Sequence, residues 1–281
     1  MNSEHSFAKL KKLLKARQQD ETPRGVPANY LGVWRRSLLE TPQMRDADSL
    51  VYWLQTPHWH ADLRIPAHRP DFSGITCLSD CSDKQLAWLA TQQGFCGVTQ
   101  VEGNQCTWHH QLDFRPPGSS RDIGNMVFDG EYLVETGVEA DYLEIWKRLS
   151  RSRGGTAALE LVMENNELPS RPAWLLVAGD CFIYVQGRNH KPPVTAAPHT
   201  LPPTRLNISR AQLLDQVDVE VSFGYRYGSA PWRIEHSTWP FREGLLLTHS
   251  RAIRRHGHQL AVEEENKRRW MILDWDVGAA L

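Results

Sequence analysis

The strongest constraint in this sequence is an alternation of two residues. "HWHADLRIP", residues 58–66, sets His58, His60, Asp62 and Arg64 at every second position, with Trp59, Ala61, Leu63 and Ile65 between them. A period of two belongs to a β-strand, whose successive side chains point to opposite faces. One face here is apolar and the other carries only ionisable groups. Such a strand either shows its polar face to bulk water or lines a polar interior. In the second case Trp59, Ala61, Leu63 and Ile65 face outward, and a neighbouring domain or helix has to cover them.

The same period runs through most of the chain. "YLGVWRRSLLET" and "SLVYWLQTP" precede the quoted stretch, and "FCGVTQVEG" and "QCTWHHQLDFRP" follow it across a Gly-Asn turn. "DIGNMVFDG" and "EYLVETG" meet at Asp-Gly, a strong hairpin signal, and "DYLEIWKRLS" comes next. The polar stretch "RSRGG" at 151–155 marks the best boundary. Beyond it "AALELVME", "PAWLLVAG", "CFIYVQGR", "VDVEVSFGYRY", "PWRIEHSTW", "GLLLTHS" and "RWMILDW" read as strands, and the charged "RAIRRHGHQLAVEEENKRR" as a solvated connection. Helices are expected only near 6–17, 82–92 and 209–215. Ten or more strands with so few helices predict an all-β chain. The expected division is a helix and lead-in over 1–29, a first barrel over 30–150 and a second over 156–281. The proline-rich segment 187–205 is expected to be a surface loop of the second.

Gly32-x-Trp34, in "LGVWRR", resembles the glycine-x-tryptophan signature that opens the first strand of lipocalins and other calycins. The resemblance implies two lipocalin-like antiparallel β-barrels in tandem. It also implies that Trp34 closes one barrel end under a cation from a late strand, with Arg268 or Arg269 as candidates. The Trp-Arg-Arg opening and the "ADLRIP" strand are also similar to a poorly characterised fungal and bacterial family of two half-related barrels. The second half has no equivalent glycine-x-tryptophan. A pair of immunoglobulin-like sandwiches is the structural rival.

Inside a barrel, the polar face of 58–64 would meet other mixed faces. "DYLEIWKRL" sets Tyr142, Glu144 and Trp146 together, and "QCTWHHQLDF" sets Trp108, His110, Leu112 and Phe114 together. Aromatic walls with a few polar groups are typical of ligand pockets. Trp53, Trp108, His110, Tyr142 and Trp146 are therefore the candidate ligand-binding residues. His60, Asp62, Arg64, Glu135 and Glu144 are the candidate catalytic ones. Asp62 would be kept ionised by Arg64, and His60 would shuttle a proton, oriented by Asp62 or Glu144. Glu135 or Glu144, desolvated among aromatic groups, would serve as an acid.

That set suits hydration, dehydration or isomerisation of a small, partly apolar molecule, without a cofactor. Binding of such a molecule in the barrel cavity is the expected function, with this chemistry on it a further option. The alternative is a protein-interaction module with a filled, non-catalytic core. There is no GxSxG nucleophile and no glycine-rich phosphate loop. His58-x-His60 could share a metal ion, but Arg64 stands where a further ligand is wanted, so no metal is expected. A formal net charge of -1 gives no electrostatic case for nucleic acid or an anionic membrane. Five cysteines, an odd number, with no apolar leader at residues 1–19, suit reduced thiols in a cytoplasm. Oligomeric state is left open by the sequence.

Overall fold

The computed structural model describes residues 25–115, 120–189, 209–226, 231–247, 253–256, 259–262 and 267–276. The first part carries β1 (Gly32–Glu40), β2 (Arg45–Asp46), β3 (Leu50–Gln55), β4 (Trp59–Ile65) and β5 (Gln93–Glu102). It continues through β6 (Gln105–Asp113), β7 (Asp122–Asp129), β8 (Tyr132–Gly137) and β9 (Leu143–Arg148). From β3 onward each strand pairs antiparallel with the next, and β9 returns to pair with β1. The result is a closed, up-and-down barrel of eight strands, with β2 a two-residue addition at the end of β1.

The second part is not a closed barrel. Its strands are β10 (Thr156–Met163), β11 (Ala173–Ala178), β12 (Cys181–Gln186), β13 (Glu220–Tyr225), β14 (Arg233–Ser237), β15 (Ile253–His256), β16 (Gln259–Val262) and β17 (Arg269–Trp275). They form one antiparallel sheet in the order β14-β13-β12-β11-β10-β17-β16-β15, and its two end strands, β14 and β15, do not pair with each other among the described residues. The tandem barrel implied by the calycin resemblance therefore holds for the first half alone. The physical reason lies in the central strands. "AWLLVA" and "CFIYV" are continuous apolar runs and "AALELV" is broken only by Glu160, which marks strands buried on both faces rather than one. One face packs Leu176, Ile183, Val221 and Phe223 toward the barrel. The other holds Leu159, Phe182, Tyr184, Trp232, Ile234 and Trp270 in a core of its own. Within the charged connection expected over 251–269, β15 and β16 form a hairpin, so that stretch belongs to the sheet.

The barrel and the sheet share a single core. Val33, Tyr52, Leu54, Trp59, Ala61, Leu63 and Ile65 stand on the outer surface of the barrel and are buried against the sheet. Tyr52 stacks on Phe223 with ring centroids 4.1 Å apart and planes 8° off parallel. At one edge Asp274 of β17 accepts hydrogen bonds from the Thr56 hydroxyl (2.6 Å) and the His58 amide (2.8 Å), and meets His58 Nδ1 at 2.6 Å. Helix Asp83–Leu89 seals the same core with Leu86 and Leu89, and starts from a capping box between Ser82 and Gln85. Helix Arg210–Val217 repeats the device with Ser209 and Gln212. The segment 6–17 lies outside the described residues, as does all of the proline-rich segment after Asn189.

Leu63 is completely buried between barrel and sheet. Leu63→Ala should therefore cost about 2–5 kcal/mol in urea unfolding, the range for emptying a core leucine. A change below about 1 kcal/mol would mean that the two layers do not share this core.

Candidate functional site

The alternation that buries one side of β4 against the sheet turns its other side inward. His60, Asp62 and Arg64 project into the barrel, where Trp34, Trp53, Trp108 and Trp146 also lie. Trp53 is the hub of the indoles, with ring centroids at 6.3 Å from Trp34, 5.6 Å from Trp108 and 6.0 Å from Trp146. Trp34 is fully buried and donates its indole N–H to the Tyr30 carbonyl at 2.8 Å. The cation over its ring is Arg148, the last residue of β9, 4.5 Å from the centroid. Arg269 opens β17 of the second sheet and Arg268 immediately precedes it, binding Glu164 at 3.0 Å. The expectation for that pair is corrected accordingly: the covering cation comes from the end of the first barrel, where closure brings β9 beside β1.

Above the indoles the interior is a set of ion pairs and hydrogen bonds. Arg64 grips Asp62 through Nε at 2.8 Å and Nη2 at 3.3 Å. Burial pushes the Asp62 carboxyl up, and the guanidinium only partly offsets this. Arg36 bridges two carboxyls, Glu144 at 2.6 Å and Asp46 at 2.7 Å. Glu135 lies directly opposite Glu144 on β8 and accepts from the Tyr142 hydroxyl (2.8 Å) and the Trp146 indole N–H (3.1 Å). Burial, and then the neighbouring Glu144, raise Glu135 well above its ordinary 4.5, so that it is held as a neutral acid. Burial and Glu135 likewise push the Tyr142 phenol up.

His110 touches two carboxylates, Asp113 at 2.8 Å and Asp122 at 3.0 Å. Burial opposes its charge, but these bonds win and push it up to about 9. It faces inward by simple alternation with Trp108. A β-bulge follows it, since Gly97 pairs His110 while Cys96 pairs Leu112, and turns Leu112 and Phe114, expected on the same face, outward into the core shared with the second sheet. Only glycine fits at 97, where a Cβ would stand 1.9 Å from the His109 carbonyl oxygen. Gly124 similarly leaves room for the Glu135 side chain, which a Cβ there would meet at 2.9 Å.

His60 is placed differently from the proton shuttle that its spacing suggests. Its Nδ1 lies 3.0 Å from the Thr99 hydroxyl, and that hydroxyl donates to Gln55 Oε1 at 2.8 Å. With its one proton spent, Thr99 must accept from His60, so the proton of His60 sits on Nδ1. Burial first, then the nearby His110 and His109, hold the ring well below 6.5, neutral at physiological pH. Neither Asp62 nor Glu144 orients it. Its Nε2 has no hydrogen-bond partner among the described residues.

The sequence-predicted residues thus share one interior, with His60 in a separate hydrogen-bond chain. The reading missed Arg36, Asp122, Gln55 and Thr99. Arg36 was legible, two residues beyond Trp34 on the same face. The space left among Trp53, Asp62, Arg64, Phe95 and Glu135 is about 10 Å³. That is room for about one water molecule. No group of three or more metal-ligating side chains is assembled among the described residues. None of their helices is long and apolar enough to cross a membrane.

These features define a closed antiparallel barrel with a charged, filled interior, backed by an open sheet. No protein-family model matches the chain, and no curated protein does. It is similar to the crystal structure of uncharacterized protein YLR301w from Saccharomyces cerevisiae. The TM-score is 0.53 at 11% identity, over 88% of this chain and 99% of that one. At that identity the likeness concerns the fold alone.

Two outcomes test the interior. Arg36→Met strands the buried Glu144 opposite Glu135 and should cost about 3–5 kcal/mol in urea unfolding, much of it recovered in Arg36→Met/Glu144→Gln. An equal loss in the double variant would show that Arg36 acts through packing alone. The second concerns pH. A raised folded pKa contributes stability that is full below the unfolded value and is lost as pH rises through the folded one. Glu135, raised from 4.5, and His110, raised from 6.5 to about 9, therefore both lose stabilisation with rising pH. The urea midpoint should fall between pH 6.5 and pH 9, and Glu135→Gln should make that fall shallower. An unchanged slope would count against a buried neutral Glu135.

Proposed function

We propose that this chain is a protein-interaction module, built on a barrel filled by its own side chains. The observation that carries this reading is the interior space of about 10 Å³. Sites for drug-sized molecules occupy roughly 300–1,000 Å³, so such a ligand would have to displace the indoles. The interior ionisable groups also have intramolecular partners: Asp62 with Arg64, Glu144 with Arg36, and Glu135 with Tyr142 and Trp146. They serve to fix the barrel's register and leave recognition to the outer surface. Calycin kinship for the barrel is part of this proposal, supported by Trp34 on the first strand beneath Arg148 of the last.

A second reading is favoured by a specific group of residues. Glu135 as a neutral acid, His110 as a cation and the partly exposed Arg64 lie near one another at the polar end. They could protonate and hold a small polar molecule entering there, for cofactor-independent hydration, dehydration or isomerisation.

Native mass spectrometry separates the two. The first reading expects the bare mass of the chain, and indole N–H protons of Trp53 and Trp146 protected from exchange. A co-purified small molecule that is lost in Glu135→Gln would overturn it in favour of the second.

A further inference from the structure

The outer wall of the barrel has two unlike halves. β3, β4, the first half of β5 and Val33 at the start of β1 are buried against the second sheet, while β7, β8, β9 and β1 from Arg35 onward form the wall away from it. The outward residues of those four strands make a grid whose registers are fixed by the pairing. Its central row is wholly aliphatic: Val127 pairs Val134, Val134 pairs Ile145, and Ile145 pairs Leu38. Above it run Asp129, Tyr132, Lys147 and Arg35, and below it Asn125, Thr136, Leu143 and Glu40. Val127 is 61% exposed and Tyr132 50%, two of six large apolar side chains so exposed among the described residues. A third, Val138, follows the end of β8.

We propose that this face binds the same face of a second copy of the chain, about a two-fold axis parallel to the strands and midway between β8 and β9. Such an axis sets β1 of one copy against β7 of the other, and β9 against β8. Arg35 then meets the partner's Asp129, Lys147 meets the partner's Tyr132, and Glu40 meets the partner's Asn125. The aliphatic row meets itself, Ile145 on the partner's Val134 and Leu38 on the partner's Val127. No like charges are opposed. Lys147 already lies 5.5 Å from Tyr132 within one chain, so the ring is placed for a cation from either copy. The alternative axis, across the strands, sets Arg35 on the partner's Glu40, which already pairs with Arg45 at 3.9 Å. It also leaves Lys147 against leucine.

Curvature agrees with the first axis. A barrel wall is convex, so two walls approach most closely at the central strands and diverge at β1 and β7. Short aliphatic groups stand at the centre, and the long Arg35 stands at the rim where the gap is wider. Four strands ~4.8 Å apart and three rows ~6.8 Å apart give a patch on the order of 400 Å². That is about half the usual ~800 Å² per partner, so the dimer should be reversible and dependent on concentration. The inference does not depend on what the barrel interior does.

Sedimentation velocity from low micromolar to millimolar concentration tests it. The wild type should shift from monomer to dimer, and Ile145→Lys should stay monomeric with an unchanged thermal midpoint. Arg35→Asp and Asp129→Arg should each weaken the dimer at least tenfold, and the double variant should regain it. Persistent monomer in the wild type, or a dimer indifferent to Ile145→Lys, overturns the proposal. Rescue of Arg35→Asp by Glu40→Arg rather than Asp129→Arg overturns the stated axis.

Discussion

The structure depends on a wall that is buried on both of its sides. Strands β3, β4 and the first half of β5 have almost no solvent face: their outward residues are covered by the second sheet and their inward residues by the opposite wall of the barrel. A strand with two apolar faces could meet that condition by hydrophobic burial alone. β4 instead carries His60, Asp62 and Arg64 on its inner side, so the barrel must supply a partner for each desolvated charge or leave it exposed to a large penalty. The remaining interior follows from this demand. Arg64 answers Asp62, Arg36 answers Glu144, and Glu135 avoids the penalty by keeping its proton.

The same demand explains why the interior is full. Large indoles occupy one end, and hydrogen-bonded side chains reach across the other. Gln55 shows how closely this is matched. Its carbonyl oxygen accepts from Trp53 and Thr99, and its amide donates to the backbone carbonyls of Thr56 and Trp59. Loss of any one member leaves a buried polar group unsatisfied, which commonly costs ~1–3 kcal/mol. Asp274 extends the network outside the barrel by fastening the β3–β4 turn to β17.

The fold was largely legible where the alternation was clean. "WHADLRI" alternates strictly and "YLEIWKR" sets the two aliphatic neighbours of Glu144 on one face, and the strands they announce are β4 and β9. Beyond residue 156 the runs are continuously apolar, and a period of two cannot say whether a sheet closes or is covered on both faces. That is where the tandem-barrel expectation gave way. In the site, residue types and spacing named most of the interior, because side chains two apart share a face. They could not give cross-strand register, which decides that Glu135 faces Glu144 and that His60 reaches Thr99. The bulge at Gln111, opposite Gly97, changes that register by one residue, and nothing local in "QCTWHHQLDF" announces it.

The indole cluster gives this molecule an optical identity. Trp34, Trp108 and Trp146 all lie within 6.3 Å of Trp53, centroid to centroid, and the Trp34 plane is only 24° from that of Trp53. At such separations electronic transitions couple, and excitation passes among the rings faster than it is emitted. Near-ultraviolet dichroism and tryptophan emission should therefore report the closure of the barrel as one collective signal, sensitive to the meeting of β9 with β1 rather than to any single side chain.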